Sequence, residues 1–238
     1  MNNMEKILMN NSDINSVAQN NQRNYAKRLA DYWFGRNKTM WQAKTLTDKD
    51  LKKVLAYIST RKHAARDRAM LLTTVMAGTR IGEAAALRIK DVLAADGTIK
   101  EQLTLGVEQT KGNEARVLML PSKLRDELRK YLIARFGIND LIAVTYTDMD
   151  IALFYTQKEH GRGYTGNTAA QHFHTIYKEA GISGASSHSG RRTFITNLAN
   201  KGVGARVLMA LAGHKNLGTT QKYIDCNEAI MRAAVELI

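Results

Sequence analysis

A chain of 238 residues with 44% hydrophobic and 7% aromatic content can bury one sizeable core plus a small appendage, but hardly two full domains. Its formal net charge of +13 points to a polyanionic partner, and its single cysteine, Cys226, excludes an internal disulfide framework or a cysteine metal cluster. No apolar run approaches the roughly 18 residues a membrane span needs, and MNNMEKILMNNSDINS lacks the apolar core of a signal peptide, so a cytoplasmic protein with nucleic acid as first-choice partner is expected.

Residues 1 to about 22 hold seven asparagines among few apolar side chains, a composition that cannot offset the entropy of ordering and reads as a flexible lead. From Asn24 to Trp33 the spacing of Tyr25, Leu29, Tyr32 and Trp33 fits one helical face, with Arg23, Lys27 and Arg28 elsewhere, as in a basic arm. The lead and arm take up residues 1–44, and a main domain follows over 45–238. Thr47, with Asp50 three residues on, signals a capping box, and Leu51, Val54, Leu55 and Ile58 continue as a helical stripe to about Thr60. Ala64 to Met76 reads as a second helix, stopped by Ala77-Gly78, and Ile81 to Leu87 as a third after a tight turn carrying Arg80.

The period then changes. Gln102 to Gln109 and Ala115 to Leu120 alternate as two strands, with Lys111-Gly112-Asn113 supplying a hairpin turn that places Lys111 near its tip. The only proline, Pro121, precedes a helix from Ser122 to about Phe136, and Ile151 to Tyr155 suits a short strand. Ala170, Phe173, Ile176, Tyr177 and Ala180 mark an amphipathic helix over Asn167 to Ala180, ended by Gly181. The last stretch, Asn227 to Ile238, is a helix whose Ile230, Ala233, Ala234 and Leu237 call for a partner surface. The fold class is therefore mainly α with a small antiparallel sheet.

Charge concentrates where the polar motifs lie. Between Tyr155 and Tyr223 stand nine Lys or Arg against only Glu159 and Glu179. A helix beginning at Ser189 puts His188 and Arg191 in one first turn, where backbone N–H groups favour an anion. His214 follows Gly213, which would end the run Val207 to Leu211, and Tyr223 comes nine residues later on a second short helix. Attack of a hydroxyl on a phosphodiester spreads negative charge over the phosphoryl oxygens, so catalysis rests on positioning and neutralisation, for which two arginine forks suit. Arg191 is one, and Arg80 in AGTRIGEAAAL is the best candidate for the other. A tyrosine needs a cationic surrounding or a base to attack at neutral pH, and a leaving alkoxide needs a proton.

The set Arg80 with Glu83 (TRIGE), a hairpin lysine (TKGNEARVLML), HSGR, LAGH and the step to Tyr223 (HKNLGTTQKY) resembles the tyrosine recombinases, the phage integrase family, over roughly Thr45 to Ile238. The resemblance implies a mostly helical catalytic domain with a small sheet, and strand exchange through a 3′-phosphotyrosyl DNA intermediate without metal, ATP or other cofactor. It makes Tyr223 the nucleophile, Lys111 the acid for the leaving 5′ oxygen, Arg80, Arg191 and His214 the stabilisers of the phosphorane, His188 an acid/base beside the tyrosine, and Glu83 an orienting residue. It further implies double-stranded DNA as substrate for integration, excision or inversion, a tetrameric synapse in which residues 227–238 pack on a neighbouring protomer, and accessory DNA-bending proteins. About 45 residues precede the first firm helix, fewer than the core-binding domain that family members usually carry, so the chain looks like the shorter members. Gly190 stands where the family commonly has leucine; in an exposed helix start it would cost about 0.5–1 kcal/mol.

Two rival readings keep the basic fold: a DNA-binding regulator without catalysis, and a supercoil-relaxing enzyme of the type IB topoisomerase kind. The complete polar set argues against the first, since binding alone tolerates replacement of Tyr223 or His188. Other motifs are weaker. Gly161-Arg-Gly163-Tyr-Thr-Gly166 spells a dinucleotide fingerprint but follows no strand. His172 and His174 point about 200° apart on a helix and cannot share a metal. Asp148 and Asp150 read as a solvated turn, and Arg192 as a DNA-backbone contact or a solvated neighbour of Arg191.

Overall fold

The computed structural model describes residues 43–110, 114–147, 149–156, 162–224 and 235–236. The Asn-rich lead and basic arm, Lys111, and the residues 227–234 and 237–238 of the expected terminal helix lie outside the described residues.

Helix α1 (Asp48–Ser59) opens on the capping box read from the sequence: Asp50 N donates to Thr47 Oγ1 at 3.1 Å, and Thr47 N to Asp50 Oδ2 at 3.1 Å. It lays Val54 and Ile58 on helix α2 (Ala64–Met76). Seven consecutive α2 residues from Ala69 to Val75 are buried, as expected of a helix surrounded on all sides. Each fully buried aliphatic side chain there contributes about 1.5–3 kcal/mol relative to exposure. Around α2 pack helix α5 (Ser122–Phe136) and helix α8 (Ser189–Asn200). Short helices α3 (Ile81–Ala86) and α4 (Ile89–Val92) follow the Gly78 turn, and α3 packs on α7 (Gly166–Glu179). A short α6 (Ile142–Thr145) lies between α5 and α7, and α9 (Ala205–Ala212) and α10 (Leu217–Gln221) complete the described helices.

The sheet is an antiparallel pair, β1 (Gln102–Leu105) and β2 (Arg116–Met119), in the register Gln102↔Met119 to Leu105↔Arg116. Leu103, Leu105 and Leu118 face the core, while Val117 and Met119 are exposed. The first strand stops four residues short of its expected end. Gln109 explains why: its Oε1 accepts from Gly106 N at 2.8 Å and its Nε2 reaches Asp91 Oδ2 at 2.7 Å, which turns Val107–Gln109 into a 3₁₀ helix. Ile151 to Tyr155 is likewise not a strand. Side chains take the carbonyls of Ala152, Leu153 and Tyr155, with Arg135 Nη1 donating to Ala152 O at 2.6 Å, Tyr131 Oη to Leu153 O at 2.6 Å and Arg66 Nη1 to Tyr155 O at 3.0 Å, and only isolated bridges to Arg88 and Gly163 form.

Three glycines set how closely helices approach. A Cβ on Gly166 would lie 3.4 Å from Gly82 Cα, so these two glycines let α7 meet α3 backbone to backbone. The G-x-G-x-x-G spelling thus includes a packing glycine. Gly190 is buried in the first turn of α8, where a Cβ would collide with Thr74 Oγ1 and stand 2.8 Å from Thr74 Cβ. The expected cost of an exposed glycine is therefore replaced by a close α2–α8 contact that only glycine permits. His172 belongs to a buried charge network: its Nε2 lies 2.9 Å from Asp67 Oδ1, which also accepts from Arg66 Nε and Nη2. Burial alone would push the Asp67 carboxyl up, but His172 and Arg66 hold it below the ordinary range.

Candidate active site

Two segments far apart in sequence build one positively charged cavity. The first enters by the left-handed turn at Gly78 (φ 66°) and reaches Arg80, the N-cap of α3. Glu83, only 2% exposed, fixes it twice: Arg80 N donates to Oε2 at 2.8 Å and Arg80 Nη1 to Oε1 at 2.5 Å. The same carboxylate accepts a third bond from the opposite side, Arg116 Nη2 to Oε2 at 2.7 Å. Arg116 stands at the start of β2, and its Nη1 donates to Leu211 O at 3.3 Å in the last turn of α9.

The second segment starts at α8. His188 is its N-cap and is exposed, and Arg191, 5% exposed, lies in the first turn. Arg191 Nη1 donates to Gly78 O at 2.8 Å and Nη2 donates to Ala212 O, joining the Gly78 turn to the end of α9. Helix α9 ends on Gly213 in the left-handed region (φ 60°), where a Cβ would also come within 2.7 Å of Arg116 Cδ. Both conditions require glycine at that position. The chain then presents His214, whose Nδ1 lies 2.9 Å from the Oγ1 of fully buried Thr220. Tyr223 stacks on the His214 ring with centroids 5.9 Å apart and planes 22° apart. Arg192 does not simply face solvent: its Nε donates to Thr45 Oγ1 at 3.0 Å and its Cζ lies 5.5 Å from the Tyr223 ring centroid.

Arg80, Arg116, Glu114, His214, Lys215 and Asn216 are among the residues lining a cavity of about 470 Å³. Across its mouth Lys215 Nζ meets Glu114 Oε1 at 2.7 Å. Three guanidiniums against the buried carboxylate of Glu83 leave a local surplus of positive charge. Burial, together with the charges of Arg80 and Arg116, pulls Arg191 down to about 9, still above neutral pH. Burial also lowers Arg116, with Glu83 opposing it and Arg80 adding to it. Burial and then the charges of Arg191, Arg80 and Arg116 lower His214 to about 4, so its imidazole is neutral at pH 7. An anion here would meet guanidinium forks and a neutral imidazole, while a phenol stands beside them.

Of the residues singled out in the sequence, Arg80, Glu83, Arg191, His214 and Tyr223 come together. Arg80 and His214 line the cavity itself, and Glu83, Arg191 and Tyr223 join it through their bonds and ring contact with the lining residues and neighbouring backbone. His188 shares the first turn of α8 with Arg191 and does not line the cavity, and Lys111 lies outside the described residues. Sequence reading missed Arg116 and Thr220. Arg116 faces inward from a strand whose neighbours Val117 and Met119 are exposed, so alternation was its one available signal. Thr220 carries none beyond its place between two recognised residues. Among the described residues no cluster of three His, Cys, Asp or Glu could hold a metal ion.

A profile of the phage integrase family matches residues 44–229. The tyrosine recombinase XerA of Thermococcus kodakarensis is 31% identical over 198 residues, covering 81% of this chain and 62% of the relative. XerA of Pyrococcus furiosus is 28% identical over 194 residues, covering 81% and 61%. The chain thus spans about three fifths of the length of these curated relatives. Among solved structures, XerH site-specific recombinase bound to its difH substrate in a pre-cleavage complex superposes with a TM-score of 0.57 at 25% identity, covering 80% of this chain and 53% of that one. The Tn1549 transposon integrase in complex with a circular intermediate DNA gives a TM-score of 0.63 at 21% identity, covering 83% and 66%, a likeness of fold.

Proposed function

The chain belongs to the phage integrase family, and from that we propose that it is a site-specific tyrosine recombinase, cutting and rejoining double-stranded DNA through a covalent tyrosyl intermediate. Tyr223 Oη attacks the scissile phosphorus, the bond to the 5′ oxygen breaks, and a 3′-phosphotyrosyl ester forms. The phenolic proton passes to a base, the role given to His188, and Lys111 supplies a proton to the departing 5′ oxygen. Reversal by a 5′-hydroxyl from another strand rejoins the backbone. Because the ester retains the phosphodiester's bond energy, neither ATP nor a metal enters the balance.

Arg80 and Arg191 neutralise the non-bridging oxygens of the phosphorane, and Glu83 keeps the Arg80 fork aimed. Neutral His214 takes the Thr220 hydroxyl on Nδ1 and offers Nε2–H to a phosphoryl oxygen, a donor that does not cancel the negative charge needed on the tyrosine. The observation that carries this reading is the stacking of Tyr223 on His214 at the edge of an arginine-rich cavity held by Glu83. The protein acts inside the cell as a homo-oligomer on DNA, with residues 227–238 packing on a neighbouring protomer, a role suggested by the apolar spacing of Ile230, Ala233, Ala234 and Leu237 in the sequence.

The test uses duplexes from the DNA flanking the gene, each carrying a nick that traps the covalent product. SDS-resistant protein–DNA adducts are expected with the natural chain and none with Tyr223→Phe, which should keep its DNA affinity. Adducts that persist in Tyr223→Phe, or none with the natural chain on any duplex, would reject the proposal. Plasmid relaxation without a second recombination site would instead identify a strand-relaxing enzyme.

A further inference from the structure

Arg116 is absent from every role above, yet like Arg191 it bridges both halves of the cavity wall, and it alone among the described residues does so through the Glu83 carboxylate. Its Nη2 braces Glu83 Oε2 at 2.7 Å, on the carboxylate whose other oxygen holds Arg80. Its Nη1 holds Leu211 O at 3.3 Å, next to the Ala212 carbonyl that Arg191 holds. Its stem runs so close to residue 213 that a Cβ there would lie 2.7 Å from Cδ. The side chain is 11% exposed, and its buried Nε has no hydrogen-bond partner among the described residues. A buried guanidinium that leaves one donor unsatisfied is costly to keep, and a smaller apolar residue would fill a strand position more cheaply. The cost is understandable if the two bonds it does make have a function.

We propose that Arg116 is a positioning residue for strand cleavage: by gripping Glu83 and the Leu211 carbonyl together, it fixes Arg80 and His214 at their separation across the cavity. Glu83 and Arg80 are bonded to each other through Arg80 N and Nη1, so without a further anchor the pair could still shift as a unit. A second guanidinium behind it removes that freedom. The Leu211 bond acts on the other wall, three residues before His214. Lysine cannot substitute, because one ammonium cannot span both acceptors as a planar fork does. The proposal rests on reading the cavity as the phosphodiester site, and its test separates the two.

Arg116→Lys and Arg116→Met are compared with the natural chain in three measurements: DNA affinity, the single-turnover rate of adduct formation on nicked duplex, and the titration of the His214 imidazole by NMR, assigned with His214→Asn. Both variants are expected to bind DNA within about threefold of the natural chain while adduct formation falls about 10- to 100-fold, as misplacement of reacting groups produces. In Arg116→Met the His214 midpoint rises, since one of the charges that depress it is gone. In Arg116→Lys the midpoint stays low but the cleavage defect remains, a separation that mere loss of stability would not produce. Cleavage by Arg116→Lys at the natural rate overturns the proposal, as does an unmoved His214 midpoint in Arg116→Met. If the natural chain forms no adduct on any duplex, the recombinase reading fails, and the His214 titration still decides whether Arg116 sets the cavity. If Arg116→Met does not fold, Arg116→Lys decides: a loss of cleavage at unchanged affinity supports the role, and a natural rate rejects it.

Discussion

His214 is held neutral by burial and by three guanidiniums, and this links it to folding with a definite sign. Its folded pKa of about 4 lies below the ordinary 6.5, so between these values the unfolded chain binds more protons. The stability it contributes is complete above pH 6.5 and is lost as pH falls toward 4. Urea unfolding at neutral and mildly acid pH should show that loss, and His214→Asn should flatten it; an equally steep acid limb in the variant would assign the dependence elsewhere. Lys111 has a chemical signature of its own. If it protonates the leaving oxygen, Lys111→Ala slows cleavage of ordinary DNA by about 10²–10⁴-fold, and a 5′-bridging sulfur, which leaves without a proton, restores the rate. Persistence of the defect on the sulfur-bridged duplex would deny it that role. Arg80, Glu83, Arg191, His214 and Tyr223 were legible because each sits in a short motif whose local geometry is set by neighbours in sequence. Arg116 and Thr220 were not, because what distinguishes them is the partners they meet across the fold.

The helices followed from the sequence almost to the residue, as in α1, where the Thr47–Asp50 cap and the apolar stripe agree, and in α7, where the stripe and Gly181 alone placed the helix within a residue or so of Gly166–Glu179. Reading failed where side chains captured backbone groups: Gln109 cut short β1, and Tyr131 with Arg135 kept Ile151 to Tyr155 out of a sheet. It also misjudged Gly190, since exposure of a helix start cannot be known before its neighbour is. The correction makes a prediction about the α2–α8 contact. Gly190→Ala should destabilise the fold by about 1–3 kcal/mol through overpacking against Thr74, and a second change, Thr74→Ala, should recover part of it by removing the colliding hydroxyl. Additive losses in the double variant, measured by denaturant midpoint at constant m-value, would show that the two residues are not coupled.

For the molecule as a whole, a formal charge of +13 makes DNA binding steeply dependent on salt. Affinity should fall on the order of a thousandfold or more between low and moderately high ionic strength, linearly on logarithmic axes. A shallow slope would mean that few phosphates are neutralised. The cavity carries a further consequence that concerns handling rather than mechanism. Arg80, Arg116 and Arg191 repel one another, and among the described residues Glu83 is the carboxylate paired with Arg80 and Arg116, so the folded chain is under an internal electrostatic load that any small oxyanion relieves. Pyrophosphate or sulfate should therefore raise the thermal midpoint by several degrees at constant ionic strength, and Arg80→Met should blunt the rise. Shelf life and apparent robustness of the purified protein would then differ between phosphate and Tris at equal pH, with the choice of buffer salt acting as an unintended stabiliser.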